Sequence, residues 1–204
     1  PKEYLETAVD FDGDGHRNLR KSIPDAMASG AALLVKHGWK ANEPWLDEVK
    51  LTKDLPWDQA DIAIQLPRSQ WVKWGVKGVE GKLKADNFPA SLLLPMGKDG
   101  PAFLAYPNFS VYFEWNQSFT YVLTAAEFAN RLVGTPAFRP NSPEPGLKGD
   151  DLKALQQKLA RRGHDVGKID GILGAGTRAA VQREQARLGL PADGWPTKAL
   201  LSKL

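Results

Sequence analysis

Between residues 136 and 149 the chain places Pro136, Pro140, Pro143, Pro145, Gly146 and Gly149. Proline lacks the amide donor that a helix or central strand needs, and its ring clashes with the preceding turn, so no regular element runs through this stretch. The chain must fold as one piece before it and another after it. The two pieces are chemically unlike. Residues 147–204 carry 11 Lys and Arg against 6 Asp and Glu, whereas residues 1–146 carry 16 against 18. Of 19 aromatic residues, only Trp195 lies after position 146. The expected organisation is a domain over 1–138, a linker over 139–149 and a small domain over 150–204.

The aromatic bulk of the first piece, with most of the 7 Trp and 8 Phe, supplies the apolar surface that offsets the entropy of ordering a chain. The absence of cysteine excludes a disulfide scaffold, thiolate catalysis and Cys-ligated metal sites. No apolar run approaches the roughly 18 residues of a membrane span. A net charge of +5 spread around short helices reads either as an ordinary solvated surface or, equally, as one that suits an anionic polymer such as a cell wall, and no nucleic acid partner is expected. Because the chain opens at Pro1 with neither an initiator Met nor a signal peptide, it is expected to be part of something longer.

Local patterns give an α+β class in which helices dominate. Ser22 before Pro24 and Asp25 starts a helix that Gly38 ends, with Ile23, Met27, Gly30, Ala31 and Leu34 on one apolar face. Thr124 and Glu127 have capping-box spacing before Phe128 and Leu132. Phe103–Tyr106 and Phe109–Trp115 alternate like two strands around a turn at Pro107–Asn108. The tail reads as three helices. Asp150 or Asp151 caps the first, with Leu152, Leu155 and Leu159 inward. Thr177 caps the second, with Ala180 and Val181 inward and Gly189 as its stop. The third runs from Pro196 through Leu200, Leu201 and Leu204. At about 55 residues, such a core is small but feasible. Trp39, Trp45, Trp57, Trp71 and Trp74 are read as core.

The densest local chemistry is Asp10-Phe11-Asp12-Gly13-Asp14-Gly15-His16. Three carboxylates at spacing two, with Gly at the sixth position, match the first half of an EF-hand calcium loop. Asp10, Asp12 and Asp14 point at one centre, and the His16 carbonyl is the next ligand. Packed carboxylates repel unless a cation joins them, and hard oxygen donors select calcium. The twelfth position, however, is Lys21, which cannot coordinate a cation. The next carboxylate is Asp25 in the following helix, so the expected ligand set is Asp10, Asp12, Asp14, His16 and Asp25, holding a structural calcium.

Two groups of motifs resemble known families. Ala8 to Leu19 around the Asp loop, Pro24-Asp25-Ala26, His37-Gly38-Trp39, Ala105-Tyr106-Pro107-Asn108-Phe109 and Trp115-Asn116-Gln117-Ser118 together resemble the lytic murein transglycosylase B family, over residues 1 to about 138. The tail, with Leu155-Gln156, Gly163, Ile169 to Gly174, Thr177 and Ala180-Val181, looks like a three-helix peptidoglycan-binding module. The first resemblance implies part of a lysozyme-like fold located in the periplasm or cell envelope. It also implies cleavage of the β-1,4 bond between N-acetylmuramic acid and N-acetylglucosamine without water. A single Glu protonates the leaving oxygen, then removes the muramic 6-hydroxyl proton as a 1,6-anhydro ring closes. The reacting hydroxyl belongs to the substrate, so the usual second carboxylate is not needed.

In that family the acid/base Glu precedes a Gln-Phe-Met-Pro-like stretch ahead of the Asp loop. Pro1 matches the end of the stretch, so no catalytic residue is expected in this chain, and a companion fragment would carry the Glu. Glu114 reads as an exposed strand carboxylate, and Glu3 and Glu6 sit near a chain end, poorly placed for a rigid acid. The resemblance assigns sugar contacts to Asn116 and Tyr121, with Trp115 standing where relatives show Tyr. Amides pair with N-acetyl and hydroxyl groups, and aromatic faces stack on pyranose rings. In the tail, Asp170 and Gly171 either hold their loop or touch glycan, and Glu184 replaces a Phe that such modules place in their core. The competing reading is a non-catalytic, calcium-stabilised wall-binding protein.

Overall fold

A computed structural model describes residues 2–79, 81–116 and 118–204. Pro1 and Gln117, which carry part of the family resemblance, lie outside them. The first piece is built on a five-stranded antiparallel sheet in the order β2-β4-β5-β1-β3. The strands are β1 (Leu46–Leu51), β2 (Leu66–Pro67), β3 (Val76–Gly78), β4 (Pro89–Leu93) and β5 (Ala102–Ala105). Five helices accompany it: α1 (Lys2–Thr7), α2 (Ile23–Lys36), α3 (Arg68–Lys73), α4 (Pro107–Trp115) and α5 (Phe119–Leu132). The class is α+β and mostly helical.

Strand alternation sorts the core into two layers. Leu46, Leu93, Phe103 and Ala105 point to one face, where Phe109 of α4 and Val122 and Ala126 of α5 cover them. Val49, Ala90, Leu92, Ala102 and Leu104 point to the other, against Trp71, Val76 and Leu55. Trp71 is fully buried and donates its indole N–H to the Ala90 carbonyl at 2.8 Å. Trp57 and Trp74 pack at the edge of this layer and Trp45 at the edge of the other, all partly buried.

Residues 107–115 form a helix, not the expected strand. Phe109, Val111, Phe113 and Trp115 do alternate, but Pro107 sits at the first helical position with its φ already suitable, after an extended Tyr106. Phe109, Tyr112 and Phe113 then meet the same layer at helical spacing. Glu114 is exposed on that helix. The expected capping box is also wrong. Helix α5 starts five residues before Thr124, capped by Ser118, whose Oγ accepts the Tyr121 N–H. Thr124 lies inside the helix and donates to the Thr120 carbonyl.

Ser22 caps α2 as expected, accepting the Asp25 N–H. The face that α2 buries is not the apolar one, however. Asp25 and Ser29 point inward to the preceding loop, while Ile23 and Met27 are 77% and 72% exposed. The inward face serves polar backbone groups of residues 9–18, and that turns the apolar stripe to solvent.

The tail contains α6 (Gly149–Arg161), α7 (Ala175–Arg187) and α8 (Lys198–Lys203). Leu152, Leu155, Leu159, Ala180, Val181 and Leu200 form its core. Helix α6 begins after Lys148 with no side-chain cap, so neither Asp150 nor Asp151 caps it. Both acids lie in the first turn, favourable to the helix dipole. Helix α7 begins at Ala175, and Thr177 is buried within its first turn instead of capping it. The Thr177 hydroxyl donates to the Val166 carbonyl and accepts from Gln156.

Gln156 is fully buried and organises the loop before α7. Its Nε2 reaches the Lys168 and Ile172 carbonyls, and its Oε1 accepts the Gly171 N–H. Asp170 holds the same loop by accepting the Ile172 N–H. Glu184 is buried but not orphaned, because its carboxylate meets His164 and Arg187 at 2.8 Å each and Arg162 at 3.8 Å. Burial alone would raise the Glu184 carboxyl, but hydrogen bonds from Arg187 and His164 outweigh it and hold the group below its ordinary 4.5.

A folded value below the unfolded one means that the ionised Glu184 adds stability above pH 4.5, and that this is lost as pH falls towards the lower folded value. Glu184→Gln is expected to cost about 1–3 kcal/mol at neutral pH. Its urea-denaturation stability should converge with that of the parent as the pH drops below 4. A constant gap across that range would contradict the charge-based role.

Candidate functional site

Helix α4 ends by delivering Trp115 and Asn116 to the surface. Asn116 leaves the helix in an extended conformation, its N–H bonded to the Tyr112 carbonyl. Its side-chain oxygen accepts the Ser118 N–H at 3.0 Å, and Ser118 in turn caps α5. This short relay sets the two helices so that Trp115 and Tyr121 lie with ring centroids 6.0 Å apart and planes at 55°. The two residues are 45% and 50% exposed. The Asn116 oxygen is used internally, while among the described residues its Nδ2 donates to nothing, leaving two N–H groups beside an open aromatic pair. The pair is rooted in the core through Tyr112, 6.3 Å from Trp115 and 5.5 Å from Trp45. The structure thus brings Trp115, Asn116 and Tyr121 together.

The Asp loop is closed on itself by backbone N–H donors. Asp10 accepts from Gly13 and Gly15, Asp12 from Asp14 and from the Ser22 hydroxyl, and Asp14 from His16. Gly13 and Gly15 adopt φ of +75° and +86°, a backbone region that a side chain disfavours. Asp25 is fully buried beneath this loop, and its two oxygens accept the Phe11 and Asn18 N–H groups at 2.8 Å. Those bonds, Asn18 first and then Phe11, hold its carboxyl below the ordinary carboxylate range despite burial. Carboxylate oxygens of Asp10, Asp12 and Asp25 lie within 4.8 Å of one another. Asp14 and the exposed imidazole of His16 stand outside that trio. Three hard oxygen donors converging on one point fit a calcium ion.

Sequence reasoning missed how the tail is joined to the first piece. Arg178 of α7 donates its guanidinium to the Leu94 and Pro95 carbonyls at 3.1 and 2.9 Å. The same group lies over the rings of Phe119 and Trp195. Burial draws this guanidinium down to about 10, with Asp193 and Asp61 opposing the shift. Asp193 accepts the Lys98 N–H, and Gln182 donates to the Trp57 carbonyl. Trp195 bonds the Glu144 carbonyl and packs so closely on Gly97 and Gly146 that a Cβ at either would meet it below 3.0 Å. The Pro-rich segment is itself pinned, with Asn141 bonded to the Gly100 carbonyl and Arg139 N–H to Glu48. Its composition announced a break in regular structure, but not this seam.

A concavity of about 550 Å³ lies beside the C-terminal half of α5, between β1 and the 135–139 segment. It contains none of the three platform residues.

The mostly helical α+β frame, which carries an open aromatic–amide platform and a closed carboxylate loop, is of the lysozyme-like class. Residues 1–130 match the transglycosylase SLT domain, and the chain belongs to that family. Residues 148–204 match a peptidoglycan binding domain. Among solved structures, SltB3 from Pseudomonas aeruginosa superposes with a TM-score of 0.86 at 41% identity, covering 100% of this chain and 56% of that one. It has been solved with NAG-NAM-pentapeptide and with NAG-anhNAM-pentapeptide. The Escherichia coli lytic transglycosylase Slt35 in complex with calcium aligns at 26% identity and a TM-score of 0.50, over 65% of this chain and 41% of that one. A spore cortex-lytic enzyme of Bacillus cereus is 37% identical over 76 residues, which is 36% of this chain and 29% of the relative. The chain thus spans little more than half of SltB3 and under a third of the cortex-lytic enzyme.

Arg178→Ala is expected to free the tail from the first piece while leaving both cores folded. Heteronuclear NMR relaxation should show one tumbling time for the parent and two for the variant. Identical relaxation would show that the guanidinium is dispensable to the seam.

Proposed function

We propose that this chain is the glycan-holding part of a peptidoglycan lytic transglycosylase of the cell envelope. The observation that carries the reading is the open Trp115–Tyr121 pair with the Asn116 amide beside it, on a chain of the transglycosylase SLT family. Aromatic faces take the apolar sides of pyranose rings, and the amide takes N-acetyl and hydroxyl groups. Trp115 in place of Tyr keeps the stacking surface and gives up a hydroxyl. The presence of NAG-anhNAM-pentapeptide in the SltB3 structure fits a non-hydrolytic 1,6-anhydro product. The tail holds the wall polymer, and no helix among the described residues is long and apolar enough to cross a membrane.

In this reading the proton donor belongs to a companion segment, equivalent to the part of SltB3 that the chain does not cover. The buried glutamate among the described residues is Glu184, already committed to Arg162, His164 and Arg187 in the tail. Ile23 and Met27 on α2, and Phe128 and Leu132 on α5, are exposed apolar side chains that such a segment would cover. Incubated with purified peptidoglycan, the chain alone should release no 1,6-anhydro muropeptides. Adding the SltB3-equivalent companion segment should produce them. Release by the chain alone would overturn the assignment of the acid to a companion, and glycan binding without release in the reconstituted pair would favour a non-catalytic wall-binding protein.

The same reading gives the Asp loop a structural calcium. Asp10, Asp12 and Asp25 supply the carboxylates, and Asp14 and the His16 carbonyl complete the loop. Its role is to fix the entry to α2, since Asp25 already ties residues 11 and 18 to that helix. Calcium at a hundredfold excess over its Kd should stabilise the fold by about 2.7 kcal/mol. In a chain of this size that is several degrees of Tm. Asp12→Ala should remove the calcium-dependent shift, and a parent Tm indifferent to calcium and chelator would refute the site.

A further inference from the structure

Tyr121 is half exposed and stands in the first turn of α5, where a helix is least held. The first N–H groups of a helix have no partner within it, so the turn frays unless side chains secure it. The cap here is long, with the Tyr121 N 3.4 Å from the Ser118 Oγ, at the far edge of hydrogen-bond geometry. Two apolar side chains anchor the turn as well. Val122 is fully buried, and Phe119, the first helical residue, packs partly buried on the same layer.

Phe119 is also where the tail meets the platform helix. The Arg178 guanidinium lies 5.6 Å from the centroid of the Phe119 ring. That guanidinium is itself fixed. Its two terminal nitrogens donate to the Leu94 and Pro95 carbonyls, and its stem runs so close to Gly194 that a Cβ there would meet the Arg178 Cγ at 2.9 Å. Phe119 and Thr120 border a cavity of about 90 Å³ that Arg178, Ala179 and Gln182 of α7 also line. Packing between α5 and α7 is therefore incomplete, and a held cation over the Phe119 face supplies a directional attraction that loose apolar contact does not.

We infer that Arg178 of the tail is a positioning residue for the sugar platform: acting through Phe119, it fixes the first turn of α5 and with it the angle of Tyr121 against Trp115. The inference rests on the platform's holding the sugar. On this inference the tail shapes the platform without touching the sugar that sits there.

The test uses the full chain carrying fluorotyrosine, with the Tyr121 resonance assigned by its loss in Tyr121→Phe, and calorimetric titration of a NAG oligomer. Arg178→Ala should shift or broaden the Tyr121 signal and leave that of Tyr106, in the other core layer, unmoved. It should also weaken the oligomer about fivefold. Arg178→Lys keeps the cation but not the plane or the paired donors, and should recover part of the loss. Phe119→Leu keeps apolar filling and both carbonyl bonds of Arg178, so the tail stays joined. It should move Tyr121 and weaken the oligomer as Arg178→Ala does, and it carries the test if that variant does not fold. On a Tyr121→Ala background neither change should weaken binding further. Additive losses there would place the effect in the tail and overturn the inference. So would an unmoved Tyr121 signal or an unchanged affinity in Phe119→Leu. If the oligomer does not bind the parent while the Tyr121 signal responds to both changes, the positioning stands and the sugar platform falls.

Discussion

A single buried amide ties the helix that follows the Asp loop to the helix that carries Trp115. Asn108, almost wholly buried at the start of α4, accepts the Lys40 N–H and donates to the Lys40 and Glu43 carbonyls. Residues 40–43 follow α2, and α2 carries Asp25 and so the Asp loop. On the other side, α4 carries Trp115 to its exit. Each of those backbone groups would cost about 1–3 kcal/mol if buried without a partner. Only a side chain offering one acceptor and two donors at that spot satisfies all three. Asp or Leu at 108 would leave donors or acceptors unmatched and uncouple the loop from the platform.

The parts of this fold that were legible in the sequence are those set by neighbours within a turn or two. The Ser22 cap, the Asp-Gly loop and the Leu152–Leu155–Leu159 stripe rest on local spacing and stand in the structure. Residues 109–115 carried two periods at once, and burial against β5 and α5 selected the helical one. Thr124 and Glu127 had the right spacing for a cap but lie inside α5, because Phe119 and Val122 extend the apolar stripe upstream. The platform residues came from family resemblance, since nothing local separates an exposed Trp115 from a buried Trp71. Gln156 and Arg178 were illegible as anchors, for their partners lie 12–21 and 83–84 positions away.

The seam at Arg178 changes what the tail can contribute. A module on a loose tether raises the local concentration of its ligand but does not orient it. Here α7 abuts the carbonyls that end β4, and Phe119, two residues before Tyr121, stacks on the same guanidinium. Any ligand held by the tail is therefore held in a fixed relation to the platform. A guanidinium between carbonyl oxygens and aromatic rings suits this seam better than a surface ion pair would. Partial burial lowers the dielectric around it and shields it from salt.

The aromatic path from Trp39 and Trp45 through Tyr112 to Trp115 and Tyr121 explains how an exposed platform stays ordered. Exposed aromatics on a flexible stem would lose entropy on stacking with a sugar, at about 0.5–1.5 kcal/mol for each side chain fixed. Rings packed edge-on against a partly buried neighbour have already lost that freedom during folding. The same path ends at Trp45, whose indole N–H is fixed by Asn130 in the wall of the charged concavity. Both ends are thus packed on the same aromatic layer, which fixes their places relative to one another in the fold.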